Sequence, residues 1–350
     1  MPRRALLLLC LVLLQPAHAL LRPPVVRARA YAPRLLASSS LFDTPLPETL
    51  DEDAQALLEE SKGDVEVARS SYIGYTLAYL EESMPELYRM LKVDPNLPEA
   101  HAALLEVTWD AIAAFMPVTH TSRPSPEAAQ RLTAISRVAL PTGGAAETTR
   151  VLDVGCGHGV LYPFLNECGL SPTGYRGVDL SSRMIDLAKR AHGGSGATFE
   201  DLSFADECAR EETYDTILFN GSLQFFEDQP ATLAEAAALL SDSEEARIVI
   251  SHVSGASFVR RELGDNPQTV RNTMPFLEMM QEVAGANSLQ VVLPSFLGTE
   301  VEEIEKALER FYLIVLRKSA PGEDGYSAEQ PLGELELPEE LRVDTTLRLE

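Results

Sequence analysis

Residues 150–165 read RVLDVGCGHGVLYPFL. The apolar-rich run Val151-Leu152-Asp153-Val154 enters a turn with glycine at alternate positions, Gly155, Gly157 and Gly159. A helix-forming stretch, 160–167, follows. Such a strand–turn–helix unit opens an α/β sheet. Glycine lets the backbone turn tightly and lets a ligand approach without an intervening side chain. The helix beyond offers free N–H groups and the positive end of its dipole. The dinucleotide fingerprint GxGxxG needs its third glycine at position 160, which is Val160, and this argues against a nicotinamide dehydrogenase. Asp153 precedes the turn on the strand itself, where it can bind a cationic or amino group.

Beyond this unit the alternation continues. Strands are expected at 174–180, 197–200, 214–220 and 247–253, with helices at 181–191, 231–240 and 269–284 between or after them. Two more strand candidates are 289–293 and 311–317. Continuous apolar strands between amphipathic helices predict a parallel sheet covered on both faces. Before it, residues 41–145 read as a helical extension or cap, with helices at 50–68, 72–91 and 98–115 and another starting at Ser125-Pro126. The final segment, 319–350, holds nine acidic residues and two arginines and is read as an exposed, partly disordered tail.

The first forty residues differ in kind. Two arginines, Arg3 and Arg4, precede the apolar run 5–14, which is too short to span a bilayer, and an A-x-A site at Ala17-His18-Ala19 follows. Residues 20–40 hold four arginines, three closing serines and no acid, the composition of a transit peptide. The tandem resembles the bipartite leaders of plastid import in algae with secondary plastids; plain secretion is the alternative. Without residues 1–40 the chain has 23 basic and 53 acidic residues, a formal charge of −30, and no membrane span is expected. That balance argues against a nucleic-acid partner, which would need clustered Lys and Arg. Cys156, Cys168 and Cys208 remain, an odd number without CxxC spacing, so neither a disulfide framework nor a zinc site is expected.

Further clues stand at the ends of successive strands. Asp179 closes the second and can accept ribose hydroxyls. Asp201 follows the third and can accept an exocyclic amine. Asn220 closes the fourth at the edge where ligands of open parallel sheets sit. Together VLDVGCGHG, GVDLSSRMIDLAKR, FEDLSF and YDTILFNGSLQFFED resemble the successive motifs of class I S-adenosylmethionine-dependent methyltransferases, over about residues 150–318, within a domain expected at 146–318. The resemblance implies a Rossmann-like, seven-stranded, mostly parallel sheet with helices on both faces and the last strand inserted antiparallel. It also implies S-adenosyl-L-methionine as cofactor. By position Asp153, Gly155 and Gly157 would meet the methionine part, Cys156 and Gly159 would shape the turn, and Asp179 would hold the ribose. Leu180 would lie against adenine, Asp201 and Leu202 would meet its amine, and Asn220 would stand at the methyl-donor end.

The acceptor is less legible. An NPPY-type motif of amino-group methylation is absent, because Asn220 is followed by Gly221-Ser222-Leu223. Small-molecule relatives often carry a histidine pair where this chain has Gln224-Phe225. His252 at the end of the fifth strand is then the best-placed base. Arg260 or Arg261 could bind an acidic substrate, and His120 lies in a loop that could fold over the site. The expected function is methyl transfer to a small molecule, with a non-catalytic S-adenosylmethionine-binding assembly or regulatory protein as the alternative.

Overall fold

The computed structural model describes residues 49–120, 123–141, 143–294, 297, 300–318 and 333–335. The leader and most of the acidic tail lie outside them. Eight strands form one sheet: β1 (Val151–Val154), β2 (Tyr175–Asp179), β3 (Thr198–Asp201), β4 (Thr216–Asn220), β5 (Arg247–His252), β6 (Leu289–Pro294), β7 (Tyr312–Lys318) and β8 (Gly333–Leu335). Their order is β3-β2-β1-β4-β5-β7-β6-β8. Strands β1 to β5 are mutually parallel, and β7 enters antiparallel between β5 and β6. This is the expected seven-stranded, Rossmann-like sheet with its final antiparallel hairpin. The three-residue β8 adds to its edge, parallel to β6, from within the acidic tail.

Alternation along the strands explains the two covered faces. Leu152, Ile217, Phe219, Ile248 and Ile250 enter one buried cluster, while Val151, Leu218 and Val249 enter the other. The second face is covered by α6 (Pro126–Ala139) and α7 (Tyr162–Glu167), whose Ile135, Val138, Phe164 and Leu165 are fully buried. Ser125 caps α6 through Ala128 N–H, and Pro126 opens its first turn, as expected. Arg131 of α6 is buried; its Nη1 donates to the carbonyls of Val253 at 2.6 Å and Arg310 at 2.9 Å, and Glu127 pairs with its Nη2.

The extension contains α1 (Glu52–Glu60), α2 (Val65–Ser83), α3 (Pro85–Val93), α4 (Pro98–Ala114) and the short α5 (Met116–Thr119). The sequence patterning merged α1 with the start of α2, and the rest of α2 with α3. Lys62 and Gly63 at positive φ end the first helix, Asp64 caps the second, and Pro85 forces the third to start anew. Ala113 of α4 and Met116 of α5 pack on Met184 and Leu187 of α8 (Ser182–His192). The remaining helices are α9 (Phe204–Cys208), α10 (Gln229–Ala238), α11 (Gly255–Asp265), α12 (Leu277–Ala286) and α13 (Val301–Leu308). The helix expected from residue 269 starts only at Leu277. Residues 271–272 are instead tied to the loop after β4: both N–H groups bond Gln224 O, and Asn272 Nδ2 bonds the carbonyls of Phe226 and Glu227. Pro275 disfavours helical geometry just before the start.

Candidate functional site

The carboxyl ends of β1 to β5 bring the sequence-selected residues to one edge, with β1 at the point where strand order reverses. The turn after β1 is held by β2: Gly155 N–H and Cys156 N–H both bond Val178 O, at 2.8 and 3.0 Å. Gly155, Gly157 and Gly159 all have positive φ, of 71°, 54° and 80°. They differ in surroundings. A Cβ on Gly155 would lie 2.6 Å from Ser222 Cβ, and one on Gly159 would lie 2.9 Å from the His192 ring. A Cβ on Gly157 would meet nothing within 4 Å. Gly157 therefore faces the open side of the turn, and the other two close its packed side.

Cys156 turns inward. Its thiol is buried against Gly177 of β2, and burial together with the Asp179 and Asp153 carboxylates pushes it well up from the usual thiol range. It shapes the turn without offering a reactive group.

Asp179 anchors the arrangement. Oδ2 accepts Gly157 N–H at 2.8 Å and Oδ1 accepts Ser181 N–H at 2.9 Å. Each oxygen keeps a further lone pair. Burial, opposed by those two bonds and reinforced by Asp110 and Asp201, raises it to about 6. Asp201 is its register partner on β3, and Leu202 N–H bonds Asp179 O at 3.1 Å. Leu180 is half-buried, and Asn220 Oδ1 accepts Ser251 Oγ at 3.0 Å.

Asp153 is buried, with Oδ2 accepting the Tyr175 hydroxyl at 2.7 Å and Oδ1 without any partner. Burial pushes it up to about 7, against the Tyr175 bond and with the help of the Asp179 charge. An ionisable oxygen in that position lacks a donor.

Asp110 of α4 was not singled out by the sequence. It lies in the apolar stretch VTWDAIAAF, and a lone acid there was the available signal. Its Oδ1 accepts Ser181 Oγ at 2.6 Å and Arg183 N–H at 3.2 Å. Burial, and after it the charges of Asp110 and Asp201, raises the neighbouring Glu106 as it does Asp179, and burial with the Asp110 charge raises Asp201. This edge offers hydrogen-bond acceptors, so it suits the hydroxyls and amine of a nucleoside and opposes phosphate.

His252 lines a second space, a cavity of about 400 Å³ between the extension and the ends of β4 and β5. Trp109 and Ile112 of α4, Arg69 and Ile73 of α2, Gly221, Gln224 and Phe225 after β4, and Phe258 of α11 also line it. His252 is buried, stacks on Phe258 at 5.4 Å, and accepts Ser254 N–H on Nδ1 at 3.2 Å. Burial lowers it to about 4. A neutral ring whose Nδ1 accepts carries its proton on Nε2, which suits a donor better than a base.

Arg260 is engaged by Glu309, with Nη1 at 3.0 Å from Oε1, and Arg261 lies over the Phe258 ring; neither lines the cavity. His120 bonds Thr119 Oγ1 through Nδ1 and lies near enough to the glycine turn to help lower His158, which burial takes to about 4. Among the described residues no cluster of metal-ligating side chains occurs, and no helix is long and apolar enough to cross a membrane.

Residues 121–284 match the model of a family described as a methyltransferase domain. Over 154 residues the chain is 30% identical to the ubiquinone biosynthesis O-methyltransferase of Bordetella avium, covering 43% of this chain and 58% of that relative. The chain thus spans under two thirds of that relative's length. Among solved structures, it is similar to an O-methyltransferase family protein from Burkholderia thailandensis (16% identity, TM-score 0.44, 71% of this chain and 73% of that one). It is also similar to the magnesium protoporphyrin IX methyltransferase of Synechocystis with bound S-adenosylhomocysteine (17% identity, TM-score 0.36, 70% and 98%).

Proposed function

We propose that the chain is an enzyme that transfers a methyl group from S-adenosyl-L-methionine to a small-molecule acceptor, a reading supported by the match of residues 121–284 to a methyltransferase-domain family. The observation that carries the reading is the junction of the glycine turn with Asp179, whose carboxylate braces Gly157 and retains lone pairs for a diol. The residues fit the cofactor. The orphaned Asp153 Oδ1 supplies the acceptor that an ammonium group needs, and Gly157 opens on space where any side chain would stand. Asp179 would hold the ribose hydroxyls. Asp201 would take the adenine amine, with the backbone of Leu202 beside it and Leu180 against the ring. Gly155, Cys156 and Gly159 would keep the turn, and Asn220 would stand towards the methyl-donor end.

Bound there, the cofactor supplies an electrophilic methyl group on a sulfonium. The protein's task is then alignment: holding an acceptor atom in line and excluding water. The cavity beside Gly221 and His252, next in sequence to Asn220 and on the same sheet edge, supports an enzyme over a purely cofactor-binding protein. Titration calorimetry of the chain with S-adenosylhomocysteine, and with Asp179→Ala as control, tests the reading. Micromolar binding lost in the variant is expected; a folded chain that binds neither form of the cofactor would overturn it.

The arginine-rich, acid-free segment after an A-x-A site supports a plastid destination in the same reading. Fusing residues 1–40 to a fluorescent protein in an alga with secondary plastids tests this, and retention in the secretory pathway would refute it.

A further inference from the structure

Two carboxylates hold the start of α8, and only one of them belongs to the sheet. Ser181 N–H donates to Asp179 Oδ1 at 2.9 Å, and Ser181 Oγ donates to Asp110 Oδ1 at 2.6 Å. One serine thus spans the candidate ribose carboxylate and a carboxylate of the extension. The same Oγ accepts Met184 N–H at 3.1 Å as the cap of α8. A serine hydroxyl has a single proton to give, and here Asp110 takes it. Ser181 has no accessible surface, so water cannot stand in for Asp110. Asp179 beside it is only half-buried.

Asp110 is held in place from both sides. One turn further along α4, Ala113 packs with Met116 on Met184 and Leu187 of α8. Arg183 N–H is the second donor to Asp110 Oδ1, at 3.2 Å. The Arg183 side chain reaches back to the extension, where Nη1 bonds Asp51, the cap of α1, and the guanidinium lies 5.1 Å over the Tyr72 ring of α2. Three elements of the extension converge on the first turn of α8. By charge alone Asp110 is an unfavourable neighbour, since a second carboxylate opposes the ionisation of Asp179. What it supplies is an acceptor.

We infer that Asp110 is a positioning residue for the cofactor site: by accepting the Ser181 hydroxyl proton it keeps that hydroxyl off Asp179 and leaves the Asp179 lone pairs to the ribose hydroxyls. The inference rests on the proposed S-adenosylmethionine reading. Without Asp110 the hydroxyl, shut off from water, turns to the carboxylate that its own N–H already bonds, and competes there with the ligand. The extension thereby sets the affinity of a site built on the sheet.

S-adenosylhomocysteine is titrated calorimetrically into the full chain and into Asp110→Asn, Asp110→Ala, Ser181→Ala and the double alanine variant. The asparagine keeps an oxygen for Ser181 and sheds the charge, so it should bind within about threefold of the native chain, whereas Asp110→Ala should bind about tenfold more weakly. In the Ser181→Ala background the competing hydroxyl is gone, and Asp110→Ala should cost no further affinity. The double variant should therefore bind more tightly than Asp110→Ala although its lost cap makes it the less stable protein in urea. A merely structural role predicts the reverse, with affinity following stability. Native affinity in Asp110→Ala would overturn the inference, as would an Asp110→Asn as weak as the alanine, or an Asp110→Ala loss of the same size with and without the Ser181 hydroxyl. Should the double variant not fold, the contrast of asparagine with alanine decides. A folded native chain that binds no S-adenosylhomocysteine sinks the cofactor reading and this inference with it, whereas native binding that Asp110→Ala leaves unchanged sinks the inference alone.

Discussion

The carboxylate of Asp110, on a helix of the N-terminal extension, accepts the Ser181 hydroxyl at 2.6 Å and the Arg183 N–H at 3.2 Å, at the start of the helix that follows Asp179. A residue some seventy positions upstream therefore caps the element beside the candidate ribose-binding carboxylate. Asp110→Ala leaves a buried hydroxyl and a helix N-terminus without that acceptor, and should cost about 1–3 kcal/mol. Urea denaturation measures the loss. Limited proteolysis should cut residues 49–120 faster in the variant, and unchanged cleavage would show that the cap is held by other contacts alone.

Asp153 sets a pH dependence. Its carboxyl titrates near 7 in the folded chain against 3.8 ordinarily, so between those values the folded state keeps a proton that the unfolded state releases. The associated stability is present below about pH 4 and is lost as pH rises towards 7. The span corresponds to at most about 4 kcal/mol. Asp153→Asn should show a smaller decline in denaturation midpoint from pH 4 to pH 8 than the native chain. An identical decline would assign the effect elsewhere.

The ligand's side of the same equilibrium has the opposite sign. An ammonium group needs the ionised form of Asp153, so S-adenosylhomocysteine binding to the native chain should tighten from pH 6 to pH 8. Asp153→Asn should bind more weakly and lose most of that slope. Calorimetry at three pH values reads both.

Gly155 and Gly157 share a left-handed backbone but not an environment. Gly157→Ala should cost about 1–2 kcal/mol of stability and reduce cofactor affinity by an order of magnitude or more, because the new methyl occupies open space above the turn. Gly155→Ala adds a clash with Ser222 and should cost more stability. Melting temperatures and calorimetry on the two variants separate folding from binding. Equal effects on both properties would remove the distinction.

Much of the sheet was legible because its signals are local. Apolar runs between glycine turns located all seven main strands within a residue or two, and Asp179, Asp201 and Asn220 fall at strand ends by simple counting. Helix breaks were less legible: Lys62-Gly63 and Pro85 interrupt a continuous apolar spacing, and residues 269–276 stay out of the helix, with Asn272 captured by a loop far away in sequence. Asp110 and Trp109 could not be assigned by spacing, since only the fold brings Asp110 to Ser181 and sets Trp109 with α2 and the loop after β4 around one cavity. The inward turn of Cys156 depends on Gly177 of the neighbouring strand, which no local pattern encodes.

Arg131 joins α6 to the ends of β5 and the segment before β7 through two backbone carbonyls. Arg131→Met keeps the bulk but leaves those carbonyls and Glu127 without their donor, so a loss of about 3–5 kcal/mol is expected. Guanidinium denaturation tests it. A loss below 1 kcal/mol would mean that water replaces the guanidinium.

The cavity has two makers. Its floor, Gly221, Gln224 and His252, lies at the ends of β4 and β5, in the sheet whose β1 leads into the glycine turn, whereas Arg69, Ile73, Trp109 and Ile112 come from the extension. Descent can therefore act on the two separately. Substitutions in α2 and α4 can reshape one wall of the cavity while leaving the glycine turn and Asp179 untouched.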